Sequence, residues 1–487
     1  MSLFQEHLRL ETRRQFFSRG KNALGYAALA SLLGPAMKLW GAESQTGQPA
    51  LPHFPAKVKN VIYLHMVGGP SQMDLYDYKP VMGDWYDKDL PDSIRQGQRL
   101  TTMTSGQKRF PIAPSKWKFS PAGKCGLMMN TELLPWTSKC VDDMAFIRSM
   151  HTEAINHEPA ICAMQTGSMV SGRPCIGSWV SYGLGSLNQN LPTFVVLVAE
   201  PTNKEQIQAI SGRLWSSGFL SGEYAGVSFR SSGDPILFIN NPAGVTGDLR
   251  RRQLDGLNAL NQINFRKVGD PETHTRIQQF EMAFRMQTSV PELTDLSRES
   301  EATLKLYGDE VKKPGTFTST CLLARRLVER GVRFVQVYLN NWDHHSNVTG
   351  RLPLQCKDID QATYALIHDL KARGLWDETL IIWGGEFGRT IYSQGGLTKE
   401  NYGRDHHPRC FTMWLAGGGI KGGVAYGQTD DFSYNIVENP VHVRDLHATI
   451  LQQLGIDHRK FTVKWQGADM KLTGVDAEAQ VVKDILA

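Results

Sequence analysis

Two tripeptides, Asp343-His344-His345 and Asp405-His406-His407, put a carboxylate next to paired imidazoles twice in the C-terminal half of the chain. Between them lies Gly384-Gly385-Glu386-Phe387-Gly388-Arg389-Thr390, with one more carboxylate. Asp, Glu and His together are the ligand set for Zn, Mn or Fe. Gathering such groups without a counter-charge is costly once they are buried. One tripeptide alone reads more readily as an exposed loop or a satisfied core histidine. Two of them plus a Gly-Gly-Glu loop point to a metal. Asp343, His345, Glu386 and His407 are the candidate ligands, with His406 nearby. Within each pair one imidazole is expected on the metal and the other in support of it or facing substrate. Arg389 and Arg404 stand close to these candidates and could clamp a phosphate or sulfate oxygen, though each taken alone reads more readily as a solvated surface arginine. His151, Asn156 and His157 form a further polar group ahead of an apolar helix, where an anion or a plain N-cap would both fit.

The elements that must position these residues can be read from periodicity. Lys59 to Met66 is an apolar run ending in the turn Gly68-Gly69-Pro70-Ser71. Further strands are expected at Phe194–Val198, Val332–Leu339, Thr379–Trp383 and Cys410–Leu415, and helices at Thr318–Arg330, Asp358–Arg373 and Val443–Leu454. Such alternation predicts an α/β fold, with a mostly parallel central sheet and helices on both faces. Sites in such sheets gather outside the carboxyl ends of the strands. Three of the four polar clusters follow a strand directly. The Asp405 cluster precedes its strand, so a loop is expected to carry it back to the same edge. Residues 203–300 are polar, with helical patches, and read as a loop- and helix-rich insertion or cap.

Bulk composition narrows the class. The chain has 487 residues, 41% hydrophobic and 21% charged, with a net charge of +5 and no dense basic run. That is a globular composition without the footprint of a nucleic-acid binder. Seven cysteines lack Cys-x-x-Cys spacing, which argues against a disulfide framework or a zinc ribbon. At the N-terminus, Arg13-Arg14 precede Phe16-Phe17 and a mildly apolar stretch, Ala23 to Met37. That stretch is short for a spanning helix. Residues 1–42 therefore read as a twin-arginine export signal, 43–57 as a linker and 58–487 as the folded domain. The protein is expected in the periplasm or outside the cell, touching a membrane only through a retained signal. Nothing in the sequence sets its oligomeric state.

At these motifs the chain resembles a known family. Gly69-Pro70-Ser71-Gln72, Trp342-Asp343-His344-His345, Gly385-Glu386-Phe387-Gly388-Arg389-Thr390, Arg404-Asp405-His406-His407-Pro408 and the glycine-rich 416–423 resemble the exported "domain of unknown function 1501" family, from about Lys57 onward. In fold the family is similar to the sulfatase and alkaline-phosphatase superfamily. His442 to Leu451 resembles the closing helix of sulfatases. Met164-Gln165-Thr166-Gly167 resembles the end of their nucleophile helix. The resemblance places His157 at the nucleophile position, Glu386 where an Asp stands in sulfatases, and Phe387 in place of the neighbouring His. Asp74 or Ser71 would have to stand in for the aspartate of the first strand. The absence of Cys, Ser or Thr at the nucleophile position argues against a formylglycine sulfatase. The resemblance implies a metal-dependent hydrolase of phosphate or sulfate esters, with a small-molecule or glycan substrate and His157 as general base or nucleophile. The His-rich set favours Zn or Mn over Ca. The alternatives are a non-catalytic exported binding protein on an inherited hydrolase fold and a phosphomutase-like transferase.

Overall fold

A computed structural model describes residues 51–230, 235–236, 239–475 and 478–487. The expected signal segment, 1–42, and residues 43–50 lie outside the described residues. Residues 51–57 run beside the last helix, where the His53 and Phe54 N–H groups donate to the Gly455 carbonyl at 2.8 and 3.3 Å.

The strands of the central sheet and of the hairpin beside it, in chain order, are Asn60–Met66 (β1), Met144–His151 (β2), Phe194–Ala199 (β3), Val227–Phe229 (β4), Phe334–Leu339 (β5), Thr379–Gly384 (β6), Gly388–Gln394 (β7), Gly403–His407 (β8), Phe411–Gly417 (β9), Val424–Tyr426 (β10) and Val441–His442 (β11). Nine of them form one sheet in the order β10-β2-β9-β6-β1-β5-β3-β4, with β11 also paired to β2. Strands β7 and β8 form a separate antiparallel hairpin. Within the large sheet every pairing is parallel except those of β9, which runs against both β2 and β6.

The course of β9 explains how the Asp405 cluster reaches the site. The start of an antiparallel strand lies at the carboxyl edge of its parallel neighbours, so residues just before Phe411 are at that edge already. No returning loop is needed, and β8 occupies the position instead.

Helices cover both faces. The longer ones are His157–Thr166 (α1), Ile176–Leu184 (α2), Gly247–Val268 (α3), Pro271–Thr294 (α4), Phe317–Glu329 (α5), Val348–Ala372 (α6) and Val443–Gln453 (α7). Alternation along β1 divides the core. Ile62, Leu64 and Met66 pack with Leu322, Leu327, Ile359 and Leu366 from α5 and α6. Val61 and Tyr63 pack with Ile161, Trp179 and Ile450 from α1, α2 and α7. Within the 203–300 stretch, α3 and α4 form a long hairpin. It attaches through Met286, Val290 and Leu293, which join the α5–α6 side of the core.

One buried histidine ties α7 to α1. The Nε2 of His447 donates to the Met164 carbonyl at 2.8 Å, and burial pushes its pKa from 6.5 down to about 4. Acid therefore protonates this group in the unfolded chain before it does so in the fold. The resulting loss of stability accumulates from pH 6.5 down to 4 and should reach about 3 kcal/mol. His447→Gln is expected to lose less unfolding free energy than the wild type across that window. Equal losses in the two proteins would show that His447 does not contribute.

Candidate metal centre

Four loops and strand ends meet at the carboxyl edge of the sheet. His157 is the first residue of α1, after an extended Asn156 whose side chain makes no capping bond. Asp343 and His345 lie beyond β5, in a turn opened by Asn341 at φ 79° and closed by Asn347 at φ 51°. Glu386 follows β6, and His406 belongs to β8. Two glycines let these pieces approach. A Cβ on Gly68, which sits at φ +120°, would lie 2.4 Å from the Asp343 nitrogen. A Cβ on Gly403 would lie 1.8 Å from the His345 carbonyl oxygen. The backbone of β8 is thus seated directly on the Asp343–His345 turn, and Arg404 N–H donates to the His344 carbonyl at 3.0 Å.

The result is a cluster of His157, Asp343, His345 and His406, with one ligand atom from each lying within 4.8 Å of all the others. Asp343 Oδ1 is at its centre. The Nε2 atoms of His345, His157 and His406 stand 2.8, 3.2 and 3.4 Å from it. The ring of Phe387 closes one side, with its centroid 4.9 Å from that of His157 and 4.5 Å from that of His406.

The far side of each imidazole fixes its proton. His157 Nδ1 is 2.6 Å from Glu386 Oε1, His345 Nδ1 is 2.5 Å from Gln394 Oε1, and His406 Nδ1 is 2.8 Å from the Ile155 carbonyl. All three partners accept, so each Nδ1 carries the hydrogen. In the neutral rings every Nε2 then presents a lone pair inward, toward a carboxylate oxygen. The Nε2 atoms of His157 and His406 are buried without a hydrogen-bond partner. Lone pairs facing a carboxylate repel one another unless a cation or a proton sits between them. A histidine that donates its other N–H to an acceptor is the usual setting of a metal-bound imidazole. The donor set therefore fits a divalent cation.

Surrounding groups hold this arrangement. Asp343 Oδ2 accepts from Gln208 Nε2 at 2.9 Å, and Oδ1 accepts from Arg389 at 2.6 Å. Burial raises the Asp343 carboxyl, but Arg389 and the three histidines outweigh it and hold the group ionised, well below the usual range. Glu386 accepts from the Gly68 N–H at 2.9 Å, with His65 Nε2 3.5 Å away. Burial raises its pKa too, yet the bonds from His157 and His65 bring it down to about 2. Burial lowers the pKa of His157, but Asp343 and Glu386 overcome this and raise it. Burial, with Arg389 and the neighbouring imidazoles, lowers that of His406 to about 4.

Other candidates from the sequence fall elsewhere. Glu386 is one hydrogen bond behind the cluster. His407 turns away, stacking on Tyr434 at 4.2 Å and donating from Nε2 to the Tyr434 carbonyl at 2.7 Å. His344 is buried apart from the cluster, its pKa lowered to about 3 chiefly by that burial. Asp74 is fully buried against Arg404, at 2.7 Å, and accepts from Ser71 Oγ at 2.6 Å. Arg404 is committed to that carboxylate and to three carbonyls. Arg389 is spent on Asp343 and on the Gly68, Gly69 and Arg404 carbonyls. Neither arginine reaches solvent to clamp an incoming anion; each is a buried positioning charge. Asn156 is exposed at the start of α1. Gln208, Gln394 and His65 support the site without having been singled out in the sequence. His65 alone carried a signal there, as an imidazole within an otherwise apolar strand.

The family model for "Protein of unknown function (DUF1501)" matches residues 58–486, and the chain belongs to that family. No curated protein matches it. Among solved structures it is similar to a phosphonate monoester hydrolase from Silicibacter pomeroyi, at 10% identity over 88% of this chain and 76% of that one, with a TM-score of 0.34. It is also similar to a lipoteichoic acid synthase from Listeria monocytogenes, at 10% identity over 87% and 76% of the two chains, with a TM-score of 0.37. A sulfatase from Pseudoalteromonas sp. matches at 11% identity over 82% and 68%, with a TM-score of 0.33.

Proposed function

For this member of the family we propose that His157, Asp343, His345 and His406 hold one divalent cation, Zn or Mn before Ca, and that the protein hydrolyses phosphate or sulfate esters. The observation that carries the reading is the convergence of three imidazole Nε2 atoms on Asp343 Oδ1. Three nitrogen donors and one carboxylate suit Zn or Mn, whereas Ca prefers an all-oxygen shell. A bound cation would polarise an ester oxygen and ease the ionisation of water at neutral pH.

The chain's own residues do the positioning. Glu386 fixes the His157 tautomer and holds the ring from behind. Gln394 and the Ile155 carbonyl do the same for His345 and His406. Phe387 shields one side of the cluster from water. The helix start that resembles the nucleophile position carries His157, itself a cluster member, so a water nucleophile suits this site better than a covalent one. The same observation favours the second reading, a binding protein without turnover. The twin-arginine segment supports export, and among the described residues no helix is long and apolar enough to cross a membrane.

The test is an assay of metal-free protein to which Zn or Mn is returned, on p-nitrophenyl phosphate, bis(p-nitrophenyl) phosphate and p-nitrophenyl sulfate. Turnover of at least one ester, lost on chelation, is expected. A metal-loaded protein that turns over none of them would leave the binding reading in place.

A further inference from the structure

A cavity of about 780 Å³ lies beside the cluster without containing its four side chains. That volume is within the range of small-molecule sites. Its wall is shared with the metal centre. Ile155 lines the cavity, and the Ile155 carbonyl accepts the His406 Nδ1–H at 2.8 Å. His407, next in the chain to His406, lines it as well.

The charges around this cavity are unequally committed. Glu153 is held by His442 Nε2 at 2.9 Å and by Arg444 at 3.3 Å. Asp430 accepts from the backbone N–H groups of Phe432, Tyr434 and Asn435. Arg99 and Arg409 also line the cavity, and neither has a hydrogen-bond or carboxylate partner among the described residues. The uncommitted charges facing the space are therefore two guanidinium groups. Gln96 and Thr152 add neutral polar groups, and Pro408 and Ile436 add apolar surface. Planar guanidinium forks with free donors suit oxyanions, and the mixed lining suits a hydroxylated carbon frame.

We propose that this cavity binds an anionic, hydroxylated portion of the substrate, gripped by Arg99 and Arg409, so that the substrate carries a second oxyanion besides the ester at the cluster. Its role in turnover rests on the hydrolase reading above; the binding itself does not. A sulfate, a phosphate or a carboxylate could supply the oxyanion, and the experiment separates them.

The full chain, freed of metal on a chelating resin, is titrated calorimetrically with glucose 6-sulfate, glucose 6-phosphate, glucuronate and, as a control, glucose. At least one anionic sugar is expected to bind where glucose does not, and more weakly as salt is raised. The double variant Arg99→Met/Arg409→Met should weaken that binding by about ten- to a hundredfold. Both arginines are exposed, so the variant should unfold with the wild type, and each single change, Arg99→Gln or Arg409→Gln, should show part of the loss. Binding no stronger than that of glucose for all three anions overturns the proposal, as does undiminished binding by the double variant. Because metal is absent throughout, failure of the ester assay leaves this result standing, and failure here leaves the ester assay untouched.

Discussion

On the metal reading proposed above, replacing His345 by alanine should strip the cation from the protein and leave the fold in place. A four-ligand zinc site is worth about 10–16 kcal/mol in apparent binding free energy. Losing one ligand of four should therefore cost about 3 kcal/mol, or about a hundredfold or more in affinity. His345 is the variant of choice because of its surroundings. Its side chain is 13% exposed, against 6% for Asp343, which also neutralises buried Arg389. Truncating Asp343 would leave that guanidinium unpaired and confuse metal loss with unfolding. Truncating His345 frees Gln394, near the surface, and leaves Asp343 its bonds from Arg389 and Gln208. The measurement is zinc per chain after dialysis against a weak chelator, read beside the melting temperature with and without zinc. Wild type should retain about one ion and melt higher when loaded, because a ligand that binds only the folded state stabilises it. His345→Ala should retain none and melt at one temperature in both conditions. Glu386→Gln should fall between, since losing a partner behind a ligand typically costs 10–100-fold in affinity. Equal zinc retention by wild type and His345→Ala would show that the cluster is not the metal site.

The contrast between His345 and Arg389 also shows what could be read in the sequence. Strand positions were legible because buried strands are continuous apolar runs bounded by turns, as in Lys59–Met66 and Thr379–Trp383. The direction of Phe411–Gly417 was not, because an apolar run looks the same in either direction. Its antiparallel course puts the Asp405 cluster at the site edge. The choice between His406 and His407 was equally hidden. Neighbours in a strand face opposite sides, and the pairing of β8 with β7 shifts register between Arg404 and His406. That shift, set by tertiary pairing, decides which imidazole reaches Asp343. In the sequence Arg389 and Arg404 stand beside the candidate ligands, which offers them as anion clamps or as solvated surface charges. Their partners include groups more than 300 residues away, the Gly69 carbonyl and the Asp74 carboxylate, and only the fold brings these within reach. Gln208 was invisible for the same reason, reaching Asp343 from 135 residues earlier in the chain with no motif around it.

Arg404→Met is expected to be among the most destabilising single substitutions in the molecule. Arg404 and Asp74 are both fully buried. The guanidinium donates from Nε to Asp74 Oδ2 at 2.7 Å and from one terminal nitrogen to Oδ1 at 3.1 Å. It also donates to the Thr390, Ile391 and Ala113 carbonyls at 3.0, 3.2 and 2.8 Å. Methionine fills similar volume but supplies no donor. Asp74 would keep Ser71 Oγ and lose its only buried cation among the described residues. Removing one partner of such a pair costs about 3–5 kcal/mol, a large part of the 5–15 kcal/mol that typically separates folded from unfolded protein. Lysine would not rescue it, because a single ammonium cannot span a carboxylate and three carbonyls in one plane. Equilibrium denaturation of the two proteins measures the difference directly. The double variant Asp74→Leu/Arg404→Met should recover part of the loss, since no uncompensated charge is then left inside. Partial recovery identifies the unpaired carboxylate as the main cost. A double variant no better than the single one would assign the cost to the three stranded carbonyls, and a single variant as stable as wild type would deny the ion pair any role in holding β8 beside Asp343.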